Sequence, residues 1–252
     1  QNIIEHLKPK DKTKPPTKFD LRINSVVIRE SSASFDIMSK PAINNRFDKN
    51  HIKFSNLNAD IHIPQLKNDD FIFNLKRFNI EEQSGLKISD LHGNFHIAST
   101  GINVAGLVFS LNKSHLAFND INITYSNWDD IGKNIDKIPL NIALLDGSHI
   151  NLNDFAPFVP KFKDVNERFN IALNLTGNLN NFTINTLQLN HDTKGINLST
   201  SGNIFGVNKL QDMHISFPKL SINANAHDIT EILSQTNLIK PKLASQLQQL
   251  GN

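Results

Sequence analysis

The sequence has no cysteine, one tryptophan and one tyrosine among its 252 residues. The absence of cysteine excludes disulfides, thiolate nucleophiles and cysteine-ligated metal sites. No apolar run approaches the ~20 residues of a membrane-spanning helix, so no such helix is predicted within this stretch. Arginine occurs only five times. Without clustered arginine and interleaved aromatic residues, we expect no binding to nucleic acid.

The net charge of +2 is unevenly distributed along the chain. Residues 1–18 carry five lysines against Glu5 and Asp11, so the rest of the chain is slightly acidic. This Lys/Pro composition is typical of a solvated linker, and the alternative is a segment near an anionic membrane surface. We therefore predict a linker at 1–18, one β domain at 19–234, and a helical segment or linker at 235–252. We expect the chain to be a piece of a longer protein.

Apolar residues spaced two apart recur along the chain and predict strands with one apolar and one polar face. Six times, one apolar pair is followed three residues later by another. These pairs are Ile52/Phe54 with Leu57/Ala59, Phe73/Leu75 with Phe78/Ile80, Ile102/Val104 with Leu107/Phe109, Leu116/Phe118 with Ile121/Ile123, Phe182/Ile184 with Leu187/Leu189, and Ile215/Phe217 with Leu220/Ile222. A step of three keeps the same face only if a β-bulge absorbs one residue.

The strand pattern predicts an all-β fold. Because bulges bend a sheet, we expect an elongated, strongly curled antiparallel sheet, a β-taco or half-pipe, with a few short helices. The alternative is a closed β-sandwich. Short helices are predicted at 126–137, with Ser126 as N-cap, and at 228–234 and 243–250. The prolines at 153–160 predict a break in the sheet.

An internal repeat is predicted between about 86–125 and 170–204. Leu91-His-Gly93-Asn-Phe95 resembles Leu175-Thr-Gly177-Asn-Leu179 at an offset of 84. After a shortening by four residues, the same apolar frame recurs at an offset of 80. The matching residues are Val104, Leu107, Phe109, Leu116 and Phe118 with Ile184, Leu187, Leu189, Ile196 and Leu198. Repeated strand units that cannot each bury their own face indicate a stacked β structure.

The sequence offers no recognisable catalytic or cofactor-binding motif. No P-loop, G-x-S-x-G or H-E-x-x-H pattern is present. His92 and His96 would lie ~13 Å apart on a strand, too far to share a metal ion. We therefore expect no enzyme, no cofactor and no metal site.

The apolar face of the predicted sheet is therefore the candidate binding site. The sequence contains 17 phenylalanines and few predicted helices to cover such a face. An open apolar groove suits acyl chains, because each buried CH₂ group contributes ~0.8 kcal/mol without a specific partner. The candidate lipid-binding residues are Phe73, Leu75, Phe95, Ile97, Val104, Phe109, Phe118, Ile123, Ile142, Leu173 and Ile184. The same residue types would also form the closed core of a structural or adhesive envelope module, such as a scaffold or glycan binder.

Residues 82–95 resemble the E-x-S-G-L-x-[IL]-x-x-L-x-G-x-[FV] segment of AsmA-like/TamB proteins of Bacteroidota. Segments at 114–116, 154–160, 177–179 and 202–206 are similar to that family in order and spacing, so the resemblance covers roughly 19–233. It implies a periplasmic protein, anchored to the inner membrane through a segment outside this chain, whose hydrophobic β-groove carries phospholipid for outer-membrane biogenesis. The implied partners are a phospholipid or other acyl-chain ligand, the remainder of its own longer chain, and an outer-membrane barrel protein. The resemblance implies no catalytic residues.

Overall fold

The structure, a computed structural model, describes residues 23–44, 46–67, 69–207 and 213–235. The strands in these residues are β1 (Ser25–Asp36), β2 (His51–Lys67), β3 (Asp70–Glu82), β4 (Lys87–Ala98), β5 (Gly101–Leu111), β6 (His115–Ala117), β7 (Ile121–Thr124), β8 (Leu140–Ala143), β9 (His149–Asn151), β10 (Arg168–Gly177), β11 (Asn181–His191), β12 (Asn197–Phe205) and β13 (His214–Asn223). The α-helices are α1 (Trp128–Asn134) and α2 (Ala226–Gln235), with 3₁₀ turns at Ile135–Lys137, Leu152–Phe155 and Pro160–Phe162. The linker predicted at 1–18 and the helix predicted at 243–250 lie outside the described residues.

All thirteen strands of the described chain belong to one antiparallel sheet. The order is β1-β2-β3-β4-β5-β6-β9-β10-β11-β12-β13, with β7 also pairing with β5 and β8 with β10. The first and last strands of this order do not pair with each other, so the sheet has two edges. The prediction of an all-β, antiparallel fold is confirmed. The predicted break in the sheet at 153–160 is also confirmed, because this segment contains 3₁₀ turns and no strand.

The two ends of the sheet carry different structures. One end, which we call the α2 end, carries the loops at 37–50 and 152–167 and helix α2. The opposite end, the α1 end, carries helix α1 and the short turns at 99–100 and 178–180. Helix α1 is shorter than predicted, and its cap is Asn127 rather than Ser126, because the Asn127 Oδ1 accepts a hydrogen bond from the Asp129 N–H at 2.9 Å.

The strand register separates an apolar face from a polar face. Directly paired residues in antiparallel strands point to the same side of a sheet. Phe73 pairs with Phe95, Phe95 with Val104, and Val104 with Ile121, which defines the apolar face. On the polar face one row crosses eight strands, through Asp90, Ser110, His115, His149, Asn170, Asn190, Asn197 and Asn223.

Five of the six predicted bulges are confirmed as register shifts within strands. In β5, Val104 pairs with Phe95 while Phe109 pairs with Leu91, so β5 uses one residue more than β4 over the same length. The extra residue of this bulge needs a left-handed backbone conformation, which Gly106 adopts at φ 61°. Each bulge returns the following apolar pair to the apolar face.

The sixth predicted bulge is wrong, because the chain breaks into β6 and β7 between Phe118 and Ile121. Asn119 explains the break. Its backbone N–H donates to the Ala143 carbonyl at 2.9 Å, and its side-chain Oδ1 accepts from the Ala143 N–H at 2.7 Å. The chain is therefore drawn away from β5 towards β8 at this point.

The two halves of the sheet meet at a seam, which we define as β6 and Phe118 on one side and β9 and Leu144 on the other. One residue pair, His115 with His149, joins β6 to β9. One further bridge joins Phe118 to Leu144. All other neighbouring strands in the described sheet share at least three residue pairs, so the seam has the least regular backbone pairing.

Buried side chains add to the few backbone hydrogen bonds at the seam, such as that from the Leu145 N–H to the Ala117 carbonyl at 2.8 Å. The Ser148 hydroxyl accepts from the Ala117 N–H at 3.1 Å and donates to the Ala117 carbonyl at 3.3 Å. The Ser114 hydroxyl accepts from the Asn151 N–H at 2.9 Å and donates to the Asp154 carboxylate at 2.7 Å. Ser148, Ser114, Asn151 and Asp154 are all buried. Polar groups shielded from water in this way require such partners.

The two segments of the predicted repeat share the position of one bulge, but their L-x-G-N segments occupy different positions in the sheet. The bulges after Val104 in β5 and after Ile184 in β11 are equivalent. Val104 pairs with Phe95, however, while Ile184 pairs with Leu175, so Leu175 corresponds to Phe95 and not to Leu91. The segment Leu175–Leu179 therefore lies four residues nearer to its hairpin turn than Leu91–Phe95 does, so Gly177 lies at the end of β10 whereas Gly93 lies within β4.

Candidate functional site: the apolar face of the sheet

The apolar face is continuous across the middle strands. Ile97, Ile102 and Ile123 form one row across β4, β5 and β7. The rings of Phe73 and Phe95 stack on the neighbouring row, with centroids 4.6 Å apart and planes 6° from parallel. These aromatic and aliphatic side chains present no hydrogen-bonding group, so the surface favours contact with apolar groups and does not select for one ligand shape.

Pairing continues the apolar face across the seam into the second half of the sheet. Leu144 opposes Phe118 at the seam, and Ile142 pairs with Leu175 of β10. Leu175 in turn pairs with Ile184 of β11. The apolar face therefore continues across the seam from the first half of the sheet to β11.

All eleven candidate lipid-binding residues lie on this face. Val104 and Ile184 are buried, at 8% and 5% exposure. The other nine are half-buried, namely Phe73, Leu75, Phe95, Ile97, Phe109, Phe118, Ile123, Ile142 and Leu173. The structure thus brings the candidates together on one surface, and most of them retain access to solvent.

Few apolar side chains are fully buried for a sheet of this size. Within the described residues the buried hydrophobic residues are Ala59, Ile80, Val104, Leu111, Ile121, Tyr125, Val165 and Ile184. Since every described strand belongs to one sheet, no second sheet packs on the apolar face within the described residues. A sandwich core would bury the inward-facing residues of both of its sheets.

The exposure is greatest at β13. Its apolar-face residues Ile215, Phe217, Leu220 and Ile222 are 46%, 42%, 55% and 60% exposed. These residues pair with the apolar face of β12, as in Leu198 with Ile222. Monomeric proteins seldom expose so many large apolar side chains side by side.

At the α1 end, a small apolar cavity of about 100 Å³ lies between the sheet and the α1 region. It is lined by Ile102, Ile123, Tyr125, Ile131, Ile138, Pro139, Leu140 and Leu179. The Tyr125 hydroxyl donates to the Ala98 carbonyl at 2.5 Å, and burial raises the pKa of Tyr125. Trp128 of α1 contacts Phe71 edge to face at 6.2 Å.

Among the cavity residues, only Ile123 was a candidate from the sequence. Ile131, Ile138 and Leu179 come from α1, its exit and a turn, where the two-residue spacing of strands does not apply. The three-residue spacing of Trp128 and Ile131 within the predicted helix was the available signal for Ile131, and Ile138 and Leu179 had no such signal.

At the α2 end, polar loops border the apolar face. Four carboxylates there are buried, namely Asp48, Glu82, Asp154 and Glu167. The Asp48 carboxylate accepts hydrogen bonds from the N–H groups of Asn50 and Ile43, both at 2.9 Å, and these bonds hold the pKa of Asp48 below its ordinary value. The sequence did not reveal these residues as a group, because the four carboxylates lie far apart from one another in the chain.

Glu167 anchors helix α2 to this end. Its carboxylate accepts from the Lys194 Nζ at 2.9 and 3.0 Å and from the Gln235 amide at 2.8 Å. The His191 Nδ1 accepts from the Thr193 and Lys194 N–H groups, so its proton lies on Nε2 and is donated to Glu167 at 2.6 Å. Burial alone would raise the pKa of Glu167, but these hydrogen bonds outweigh it and lower the pKa.

The apolar face is chemically plain. No group of three or more histidine or acidic side chains in the described residues could hold a metal ion. None of the helices within the described ranges is both long and apolar enough to cross a membrane.

No family model matches the chain, and no match is found among the curated proteins or the solved structures with which it was compared.

Proposed function

We propose that the apolar face binds the acyl chains of phospholipids, and that the chain is a non-enzymatic segment of an envelope protein of the AsmA-like/TamB type. In this proposal the chain lies in the periplasm and moves lipid for outer-membrane biogenesis, together with the rest of its own longer chain and an outer-membrane barrel partner. The observation that carries the proposal is the continuous apolar face, on which nine of eleven candidate residues are only half-buried.

The proposal includes a curled sheet whose concave side is the apolar face. Five bulges support curvature, since each bends its strand and increases the local twist. A contact between distant loops also supports it. The Phe47 N–H donates to the Pro157 carbonyl at 2.8 Å, and the rings of Phe47 and Phe158 lie 5.4 Å apart. These loops follow β1 and β9, and β2 and β9 would be ~24 Å apart in a flat sheet.

The dimensions suit acyl chains. Eleven strands side by side at ~4.8 Å spacing give a face ~48 Å across. An acyl chain occupies about half of the 30 Å bilayer core, ~15 Å, and so covers about three strands. Each CH₂ group removed from water contributes ~0.8 kcal/mol, whatever the headgroup. The face therefore favours acyl chains as a class over any one lipid.

Adjacent residues on opposite faces of β5 provide the test. Phe109 lies on the apolar face opposite Leu91 and Leu116, while Val108 lies on the polar face opposite His92 and Ala117. Both are half-buried. Phe109→Asp places a charge among apolar side chains, and Val108→Asp places the same charge one residue away on the other face.

We expect phospholipid extracted from the purified protein, measured by mass spectrometry, to fall sharply in Phe109→Asp and to remain near the wild-type level in Val108→Asp. Melting curves accompany the measurement. An open face should leave Phe109→Asp folded, because water can solvate the carboxylate. If Phe109→Asp unfolds while the wild type carries no lipid, the apolar face is a closed core and the structural or adhesive alternative is favoured. Equal lipid in a folded Phe109→Asp and the wild type would contradict the proposal.

A further inference from the structure

Two histidines face each other across the seam on the polar side of the sheet. His115 of β6 and His149 of β9 form the one residue pair between these strands. Their ring centroids are 5.9 Å apart, with planes 29° from parallel. Both side chains are half-buried, so each ring remains partly accessible to solvent. The sequence separates them by 34 positions and gives no sign of this pairing.

The hydrogen bond of the His149 ring determines which of its nitrogens carries the proton. The His149 Nδ1 lies 3.0 Å from the Gly147 carbonyl, which can only accept a hydrogen bond, so Nδ1 carries the proton in the neutral ring. The lone pair of His149 is then on Nε2. A histidine whose other nitrogen donates to a carbonyl is the usual arrangement for a metal ligand, because the bond fixes the tautomer and the ring orientation.

His115 is positioned in a similar way. Its Nδ1 lies 2.9 Å from the Ser110 hydroxyl, which can accept the Nδ1 proton. When it does, the lone pair of His115 is also on Nε2. The neighbouring positions in the same row are occupied by Ser110 and Asn170, which carry no positive charge to oppose a cation.

The separation of the rings is close to that of a shared ion. With metal–nitrogen bonds of about 2.0–2.1 Å, each centroid lies about 3.2 Å from the ion, so a tetrahedral angle separates the centroids by ~5.2 Å. The observed 5.9 Å differs from this by less than 1 Å. Because an ion must lie near both ring planes, one ring has to rotate about χ2, a soft torsion in histidine.

We propose that His115 and His149 bind one divalent ion of a metal that prefers imidazole, Cu²⁺, Ni²⁺ or Zn²⁺, through their Nε2 atoms, with water completing the coordination. The site is exchangeable, since only two protein ligands hold the ion. The ion joins β6 to β9 and so strengthens the seam, where backbone pairing is least regular. This inference is independent of lipid binding, because the histidines lie on the polar face.

Copper titration of the full chain provides the test. We expect calorimetry to give one strong site, and the electron paramagnetic resonance spectrum of the Cu²⁺ form to show coupling to two imidazole nitrogens. His115→Asn and His149→Asn should each weaken binding by at least about tenfold, since the loss of a mere outer-shell partner of a ligand already costs 10–100-fold. His92→Asn is the matched control. His92 is also a half-exposed histidine, but its Nδ1 bonds to the Asp90 carboxylate at 2.8 Å, and it should leave binding unchanged.

A second measurement tests the seam itself. Ni²⁺ should raise the melting temperature of the wild type and of His92→Asn, and this rise should be absent from both seam variants. Hydrogen exchange at the Ala117 N–H should slow when the ion is added. The proposal is overturned if both seam variants bind Cu²⁺ as the wild type does, or if the wild-type spectrum shows fewer than two imidazoles. The spectrum requires no variant, so a result of fewer than two imidazoles overturns the proposal even if a substitution prevents folding.

Discussion

Asp154→Ala should destabilise the protein through the seam. The Asp154 carboxylate is 8% exposed and accepts hydrogen bonds from the Ser114 hydroxyl at 2.7 Å and the Lys113 N–H at 2.9 Å. Alanine leaves both donors without this acceptor in a shielded site. Each hydrogen bond to a charged group contributes about 1.5–3 kcal/mol. Removal of the carboxylate also relieves its desolvation, so we expect a net loss of about 2–4 kcal/mol in the free energy of unfolding.

Thermal or urea unfolding measures this loss. A domain of this size shifts in melting temperature by about 2–4 °C for each kcal/mol, so the expected decrease is ~4–16 °C. Asp154→Asn keeps a carbonyl acceptor and should lose only about half as much. Asp129→Ala is the surface control, because the Asp129 side chain is 81% exposed and its ion pair is with Lys133, which is 74% exposed, so it should change stability by less than about 0.5 kcal/mol.

Hydrogen exchange locates the effect. In Asp154→Ala the N–H groups of Lys113 and Asn151 should exchange faster, because the chain of bonds through Ser114 links both to Asp154. Amides in the centre of β3 and β4, which are regularly paired, should not change. The reasoning is refuted if Asp154→Ala is as stable as Asp129→Ala, or if the two paired strands lose protection as much as the seam does.

Two further predictions concern the second half of the sheet. Gly202→Ala should open the β12–β13 pairing, since the added Cβ would meet the Ser216 carbonyl and lie 3.1 Å from the Phe217 Cα, and proteolysis within β13 should then increase. Gly195→Ala is the control and should behave as the wild type, because its added Cβ would meet only side-chain atoms at 3.8 Å or more. Because the pKa of Glu167 lies below its ordinary 4.5, its contribution to stability is complete above pH 4.5 and is lost as the pH falls through the lowered pKa. The difference in melting temperature between the wild type and Glu167→Gln should therefore shrink as the pH falls below 4.5, and a difference that stays constant until acid unfolds the protein would contradict the role of this carboxylate.

Local rules made much of the strand structure predictable. Alternation of apolar residues indicated β2, β3, β5, β11 and β13, because one face of each of these strands is apolar. The same rule located five bulges, since a step of three is compatible with one apolar face only if a residue is absorbed. It failed at Phe118 and Ile121, where Asn119 bonds to Ala143, a residue that no local pattern connects to it.

The candidate site was predictable in kind but not in its surroundings. Residues such as Phe95, Phe109 and Leu173 were assigned to one face by spacing alone, and the register places them there. Whether that face is covered depends on the packing of loops and helices at the two ends. The cavity beneath Ile131 and the buried Asp154 arise from such packing, which brings distant segments together.

The sequence by itself determined the fold class, the two faces of the sheet and most of its bulges, because each depends on neighbours within a few residues. The tertiary structure alone decided the strand order, the seam and the partners of the buried polar groups, because each depends on contacts between segments far apart in the chain. The pair His115 and His149 is the clearest case. Alternation predicts that each points to the polar face, but only the joining of two half-sheets places them opposite each other.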